Sequence, residues 1–230
     1  MFHINELKEA ALEKVAHILP NTIFQEFDQP NSRMLIAVTL MNRGEKELAY
    51  QLFESIAAYG PDENENRHFA YVRSLIEMAE MDAEKERFVK AEAYMMKALA
   101  EFPDSMGYMM SRTHLEVYHS YYLFKLGKKE AAHRELEKLI LREGARFASL
   151  PQEDGQNLVG PALCYAIHQL ALFHAEEGDW EGAATSFERL LPYVIWVDEE
   201  GWNEGDRMMK EGKKDVGFQR MVEAVTYDAS

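Results

Sequence analysis

The feature that most constrains this chain is a spacing that recurs around tight turns. In GDWEGAATSFERLL, residues 178–191, Gly178 opens a turn and Ala183, Phe187 and Leu190 then fall on one helical face. The run LCYAIHQLALFHAEE in front of it is also helix-like, so the two form a helix-turn-helix hairpin. The same register fits upstream. From Gly44 the residues five, nine and twelve further on are Ala49, Phe53 and Ile56; from Glu86 they are Ala91, Met95 and Ala98; from Gly127 they are Ala132, Leu136 and Leu139. Seven residues before the turns stand Ala37, Ala79, Ser120 and Ala171. Helices cross closely only where both offer small side chains. About one residue in five is Ala, Gly or Ser in average usage, so a small pair in every hairpin calls for a physical cause.

The spacing makes the chain a helical-repeat protein, and the reading adopted is all-α, a right-handed α-solenoid of four to five helix hairpins. Residues 1–30 are expected to be an N-terminal capping helix, NELKEAALEKVAHIL stopped by Pro20, followed by a connector that tucks Phe24 and Phe27 against the first hairpin. Residues 31–197 hold the hairpins. No Gly marks the second turn, so Met81 to Lys85 is expected to bend without a clear break. The third hairpin is the most aromatic, with Tyr108, Tyr118, Tyr121, Tyr122 and Phe124. Ala49 to Ala91 is 42 residues, Ala91 to Ala132 is 41, and Ala132 to Ala183 is 51. The surplus falls in GARFASLPQEDGQNLVGP, residues 144–161, rich in Gly and Pro and expected to be a loop, either functional or a tolerated insertion. In residues 198–230, Gly205 and Gly212 keep the seven-residue spacing of a degenerate fifth repeat, and Phe218 to Tyr227 is expected as a C-terminal capping helix. No strand is expected, because no stretch alternates with β-branched enrichment.

The small residue of the first helix, the turn Gly, the Ala and large apolar residue of the second helix, and the closing Pro61 and Pro103 together resemble the tetratricopeptide-repeat family. LMNRGEKELAYQLFESIAAYGP and EEGDWEGAATSFERLL are the best copies. Where that family has a bulky aromatic early in the first helix, this chain has Arg33, Leu75, Glu116 and Ile167. The intervals exceed the usual repeat of roughly 34 residues, and in this they look like the repeats of bacterial Rap-type peptide receptors and kinesin light chains. The resemblance implies that first helices line a concave peptide-binding groove. Carried over by register, its lining comprises Met34, Val38, Met41 and Asn42 of the first hairpin and Arg73 and Ile76 of the second. His114, Val117, Tyr121 and Phe124 of the third follow, then Tyr165, His168 and Leu172 of the fourth. This lining is apolar and aromatic with few cations, which suits a hydrophobic peptide or helix.

Composition narrows the partner. A formal charge of -15 disfavours non-specific binding to nucleic acid or anionic membranes and suits encounter with a basic partner. Many of the acids, such as Asp62 after Pro61, are expected to cap helices or to stand on solvated faces. The charged N-terminus and a single cysteine, Cys164, point to a cytoplasmic protein.

Phosphate loops, paired-His zinc motifs, calcium loops and nucleophile elbows are not found in the sequence. Within one helix His114 and His119 fall about 140° apart and His168 and His174 about 120°, so the histidines suggest no metal, and no cofactor is expected. Cys164 and His168, four apart, share a face and supply the one nucleophile-base candidate. The reading is a protein- or peptide-binding adaptor and not an enzyme. Its alternatives are an enzyme acting near Cys164 and His168, or a structural subunit of a larger complex.

Overall fold

The computed structural model describes residues 4–107 and 110–226, so Tyr108, Met109 and Tyr227 lie outside the described residues. The chain divides by packing into two compact units, Met1–Met110 and Ser111–Ser230, a division that falls inside the segment read as one array of hairpins.

The first unit begins with α1 (Ile4–Val15) and the short α2 (Asn21–Gln25), followed by two hairpins, α3 (Pro30–Asn42) with α4 (Lys46–Ala57) and α5 (Glu65–Glu84) with α6 (Phe88–Ala100). Leu7, Ala11 and Val15 are the buried residues of α1, which packs on both helices of the first hairpin as an end cap should. Phe24 and Phe27 are buried as expected. Within the unit α3 packs on α4 and α5, α4 on α5, and α5 on α6, so the first hairpin meets the second through α5.

In the second unit the hairpins are α7 (Arg112–Lys125) with α8 (Lys129–Ala148), α10 (Gly160–Glu176) with α11 (Trp180–Glu188), and α12 (Glu199–Lys210) with α13 (Lys214–Glu223). A short helix, α9 (Gln152–Leu158), stands between the first two and packs on α8 and α10. Here the loop expectation for residues 144–161 is corrected. α8 runs on to Ala148, and Pro151 and Pro161 sit at the starts of α9 and α10, where a missing backbone N–H costs nothing. Gly155 and Gly160 are buried, and a Cβ on Gly155 would come within 3.2 Å of the Phe147 ring, so these glycines serve packing and not flexibility. A two-residue strand pair was also not expected. β1 (Trp196–Val197) runs antiparallel to β2 (Val225–Thr226), tying the entry of the last hairpin to its exit. The last helix accordingly ends at Glu223, short of the expected Tyr227.

The repeat is visible in the backbone. Gly44, Gly127, Gly178 and Gly212 all have φ between 76° and 86°, and Glu86 occupies the same turn position at φ 55°. In each turn the next residue donates its N–H to the carbonyl five residues back: Glu45 to Leu40, Arg87 to Asp82, Lys128 to Leu123, Asp179 to His174 and Lys213 to Met208, at 2.8–3.0 Å. This is the glycine C-cap that satisfies the last carbonyls of a helix. The second hairpin thus breaks as cleanly as the others, with a glutamate in the left-handed conformation. The small and large register positions, from Ala37, Ala49 and Phe53 to Ala171, Ala183 and Phe187, are buried in every hairpin.

Acids cap only some of the helix starts, Asp179 among them. Asn64, Ser111 and Asp179 accept the N–H of Arg67, His114 and Gly182, while Asp62 instead accepts the N–H of Asn64. Among the described residues no single helix is long and apolar enough to cross a membrane. α9 and α10 reach that composition only as a pair bent by 61°, and most of α10 is core.

Candidate functional site

The first helices of the hairpins do not present one narrow apolar stripe. α3, α5, α7 and α10 each pack on their partner and on a helix of an adjacent hairpin, so their buried arcs are wide. Four of the residues read as groove lining are therefore core: Met34, Ile76, Val117 and Phe124. Phe124 stacks face to face on Phe173, with ring centroids 4.1 Å apart and planes 5° from parallel. On these four the lining assignment is corrected.

In the first unit, Val38 and Met41 are half-buried and Asn42 is exposed at the end of α3. Arg73 is half-buried on α5, ion-paired with the buried Glu77, and its Nη1 lies 3.5 Å from the Met110 sulfur. Glu80 follows on the same helix. Burial raises its carboxyl to about 7, helped by the nearby Glu77 and Glu84 charges and opposed by Arg73. This face is polar and acidic.

The second unit is different. His114, Tyr121, Tyr165, His168 and Leu172 are all half-buried, and two of them, His114 and Tyr165, meet. The His114 ring stacks on Tyr165, 5.2 Å between centroids and 27° between planes, and Tyr118 meets Tyr165 edge-on at 6.2 Å. His168 packs against Phe187 at 5.2 Å, and Phe187 stacks on Trp202 at 6.0 Å. The three first helices α7, α10 and α12 thus carry rings that are backed by the core and keep part of their surface accessible. Two open clefts flank Trp202. One, of about 620 Å³, is lined by Glu181, Glu188, Asp206, Lys210, Lys214 and Met209; the other, of about 420 Å³, is lined by Leu191, Val197, Glu199 and Asn203. Sequence reading passed over Trp202 because the fifth hairpin lacks the apolar spacing that marks the others; its signal was the seven-residue interval from Gly205 to Gly212.

Electrostatics count against Cys164 and His168 as a nucleophile and base. Cys164 is fully buried and its thiol is pushed up to about 12, while burial pushes His168 down to about 4. At neutral pH both are uncharged, the opposite of the thiolate-imidazolium pairs that activate cysteines. His168 then offers a neutral ring to a ligand, able to stack or hydrogen-bond without carrying charge.

No family model matches the chain, and comparison with the curated proteins gives no match.

Proposed function

We propose that this protein is a cytoplasmic helical-repeat binding module on the right-handed solenoid plan, similar in kind to tetratricopeptide-repeat proteins, that recognises a hydrophobic peptide or helix of a partner protein. The observation that carries the reading is the set of half-buried rings on successive first helices, His114, Tyr118 and Tyr165 in contact and His168 beside them. Rings fixed by the packing behind them lose little freedom on binding, which is the advantage of a preorganised surface. Aromatic residues of this kind are the usual energetic centres of interfaces. The chain's net charge of -15 favours a ligand whose apolar anchors are flanked by Lys or Arg.

Selection of a displayed random-peptide library on the full chain tests this. Enriched peptides should carry apolar residues at helical spacing, and their affinity should fall about 30-fold or more in Tyr165→Ala with the thermal melt little changed, as for truncation of an interface anchor. Absence of enrichment, or peptides that bind wild type and Tyr165→Ala alike, would overturn the proposal.

A further inference from the structure

His133, His174 and Glu177 converge at the edge of the second unit, away from the ring contacts of Tyr165. His133 lies on α8, His174 in the last turn of α10, and Glu177 is the C-cap of α10. One imidazole nitrogen or carboxylate oxygen from each lies within 4.8 Å of the other two. His133 Nε2 is 3.0 Å from Glu177 Oε2, and the two imidazoles meet edge to face with centroids 4.8 Å apart. α8 and α10 pack directly on each other, so both histidines are placed by rigid helices and not by a loop. Tetrahedral zinc, with bonds to nitrogen and oxygen of about 2.0–2.1 Å, sets its donors about 3.3–3.4 Å apart.

A second observation concerns His174 alone. Its Nδ1 is 3.1 Å from Asp179 Oδ2, and the other oxygen of that carboxylate accepts the Gly182 N–H at 2.9 Å, capping α11. A carboxylate only accepts, so His174 Nδ1 is the donor in this contact. Nδ1 is thereby engaged, and Nε2 is the ring nitrogen left to a ligand. This carboxylate-imidazole arrangement is the one that stands behind metal-ligating histidines. A Cβ at Gly182 would collide with the Asp179 carboxylate and come within 2.9 Å of His174 Nδ1, so the glycine leaves room for the pair. The charges around the cluster are Glu177, Asp179 and Glu137, with Lys129 3.4 Å from Glu177, Arg189 clamping Glu137 through two bonds of 2.7 and 2.9 Å, and Lys214 acting on Asp179. A plain surface ion pair would account for His133 and Glu177, but not for a second imidazole held by its own carboxylate at the same point.

We propose that His133, His174 and Glu177 bind one divalent transition-metal ion, zinc by ligand type, with Asp179 orienting His174 and the remaining position open to water or a partner's side chain. The ion joins the third and fourth hairpins. The test uses the full chain after dialysis against chelator. Titration with Co²⁺ should give the visible absorption of a low-coordinate nitrogen-oxygen site, saturating at one ion per chain, and zinc should bleach it. His133→Ala, His174→Ala and the fold-sparing Glu177→Gln should each weaken zinc binding at least tenfold by calorimetry. Asp179→Asn, which keeps the helix cap, should weaken it by about 10- to 100-fold, while His17→Ala leaves it unchanged. Zinc should also raise the melting temperature of wild type and not of His174→Ala. Absence of stoichiometric uptake overturns the site, as does uptake that survives both histidine substitutions.

Discussion

Gly205 and Gly217 cross backbone to backbone: a Cβ built on either would lie 2.7 Å from the other's carbonyl oxygen. These are the positions held by Ala171 and Ala183 in the preceding hairpin, seven before the turn and five after it, so the fifth hairpin keeps that register with its crossing closed one methyl further.

Replacing either glycine by alanine should therefore destabilise the second unit. The obstructing atoms are backbone (the carbonyl of Gly217 and the N–H of Met221 for Gly205), which cannot rotate away. Overpacking of this kind costs about 1–3 kcal/mol. Urea unfolding of Gly205→Ala and Gly217→Ala measures it, and the double variant should cost less than the sum because both open the same crossing. Unchanged midpoints would mean that the helices separate at no cost.

That crossing also shows what sequence could and could not reveal. Small residues at fixed distances from a turn report a helix crossing, so the hairpins and Ala49, Ala91, Ala132 and Ala183 at their centres were legible from spacing alone. Glu86 was not, because nothing in a glutamate announces φ 55°. The helix Gln152–Leu158 was hidden because Pro and Gly read as loop formers, whereas here Pro151 starts a helix and Gly155 packs under Phe147. The groove was misread at Met34, Ile76, Val117 and Phe124 because a helical stripe does not say which of two apolar arcs meets solvent. His133 and His174 could not be related by helical spacing, since they lie on different helices a full repeat apart.

Glu86→Gly should stabilise the first unit. A left-handed backbone costs a non-glycine residue about 1–2 kcal/mol, and the extra freedom of glycine in the unfolded chain returns about 0.4–1 kcal/mol. The net gain is on the order of 0.5–1 kcal/mol, read as a higher urea midpoint at unchanged slope. A lower midpoint would show that the glutamate side chain contributes more than the turn strain it imposes.

Glu80 should make stability fall as pH rises. Its carboxyl goes from an ordinary 4.5 to about 7 in the folded protein, mainly through burial. Between those values the native state binds the proton and the unfolded chain does not. The associated stability is thus fully present below about pH 4.5 and is lost as pH climbs through 7. A shift of this size corresponds to at most about 3 kcal/mol. Melting temperatures of wild type and Glu80→Gln should therefore diverge between pH 5 and pH 8, wild type losing several degrees against the variant. Parallel curves would mean that Glu80 ionises freely in the native state.

The sharpest separation of core from binding face lies within one turn of α7. Phe124 is buried and stacked on Phe173, whereas Tyr121 is half-buried, with its ring edge on Tyr122 and Lys125 Nζ 5.3 Å from its centroid. Truncating the first removes a filled stack and should cost about 3–5 kcal/mol of folding stability. Truncating the second removes a partly solvated ring and should cost on the order of 1 kcal/mol. The effect on ligand binding should run the other way. If the accessible rings of α7 and α10 hold the peptide, Tyr121→Ala weakens capture by about 2 kcal/mol with a nearly normal melt. Phe124→Ala lowers the melt first and loses capture only as the folded fraction falls. Thermal melts and peptide affinities on the two single variants decide it. A stable Phe124→Ala protein that no longer binds would return Phe124 to the surface and move the site with it. Intact binding in both variants would take the ligand off α7 and leave the clefts beside Trp202 as the place to look.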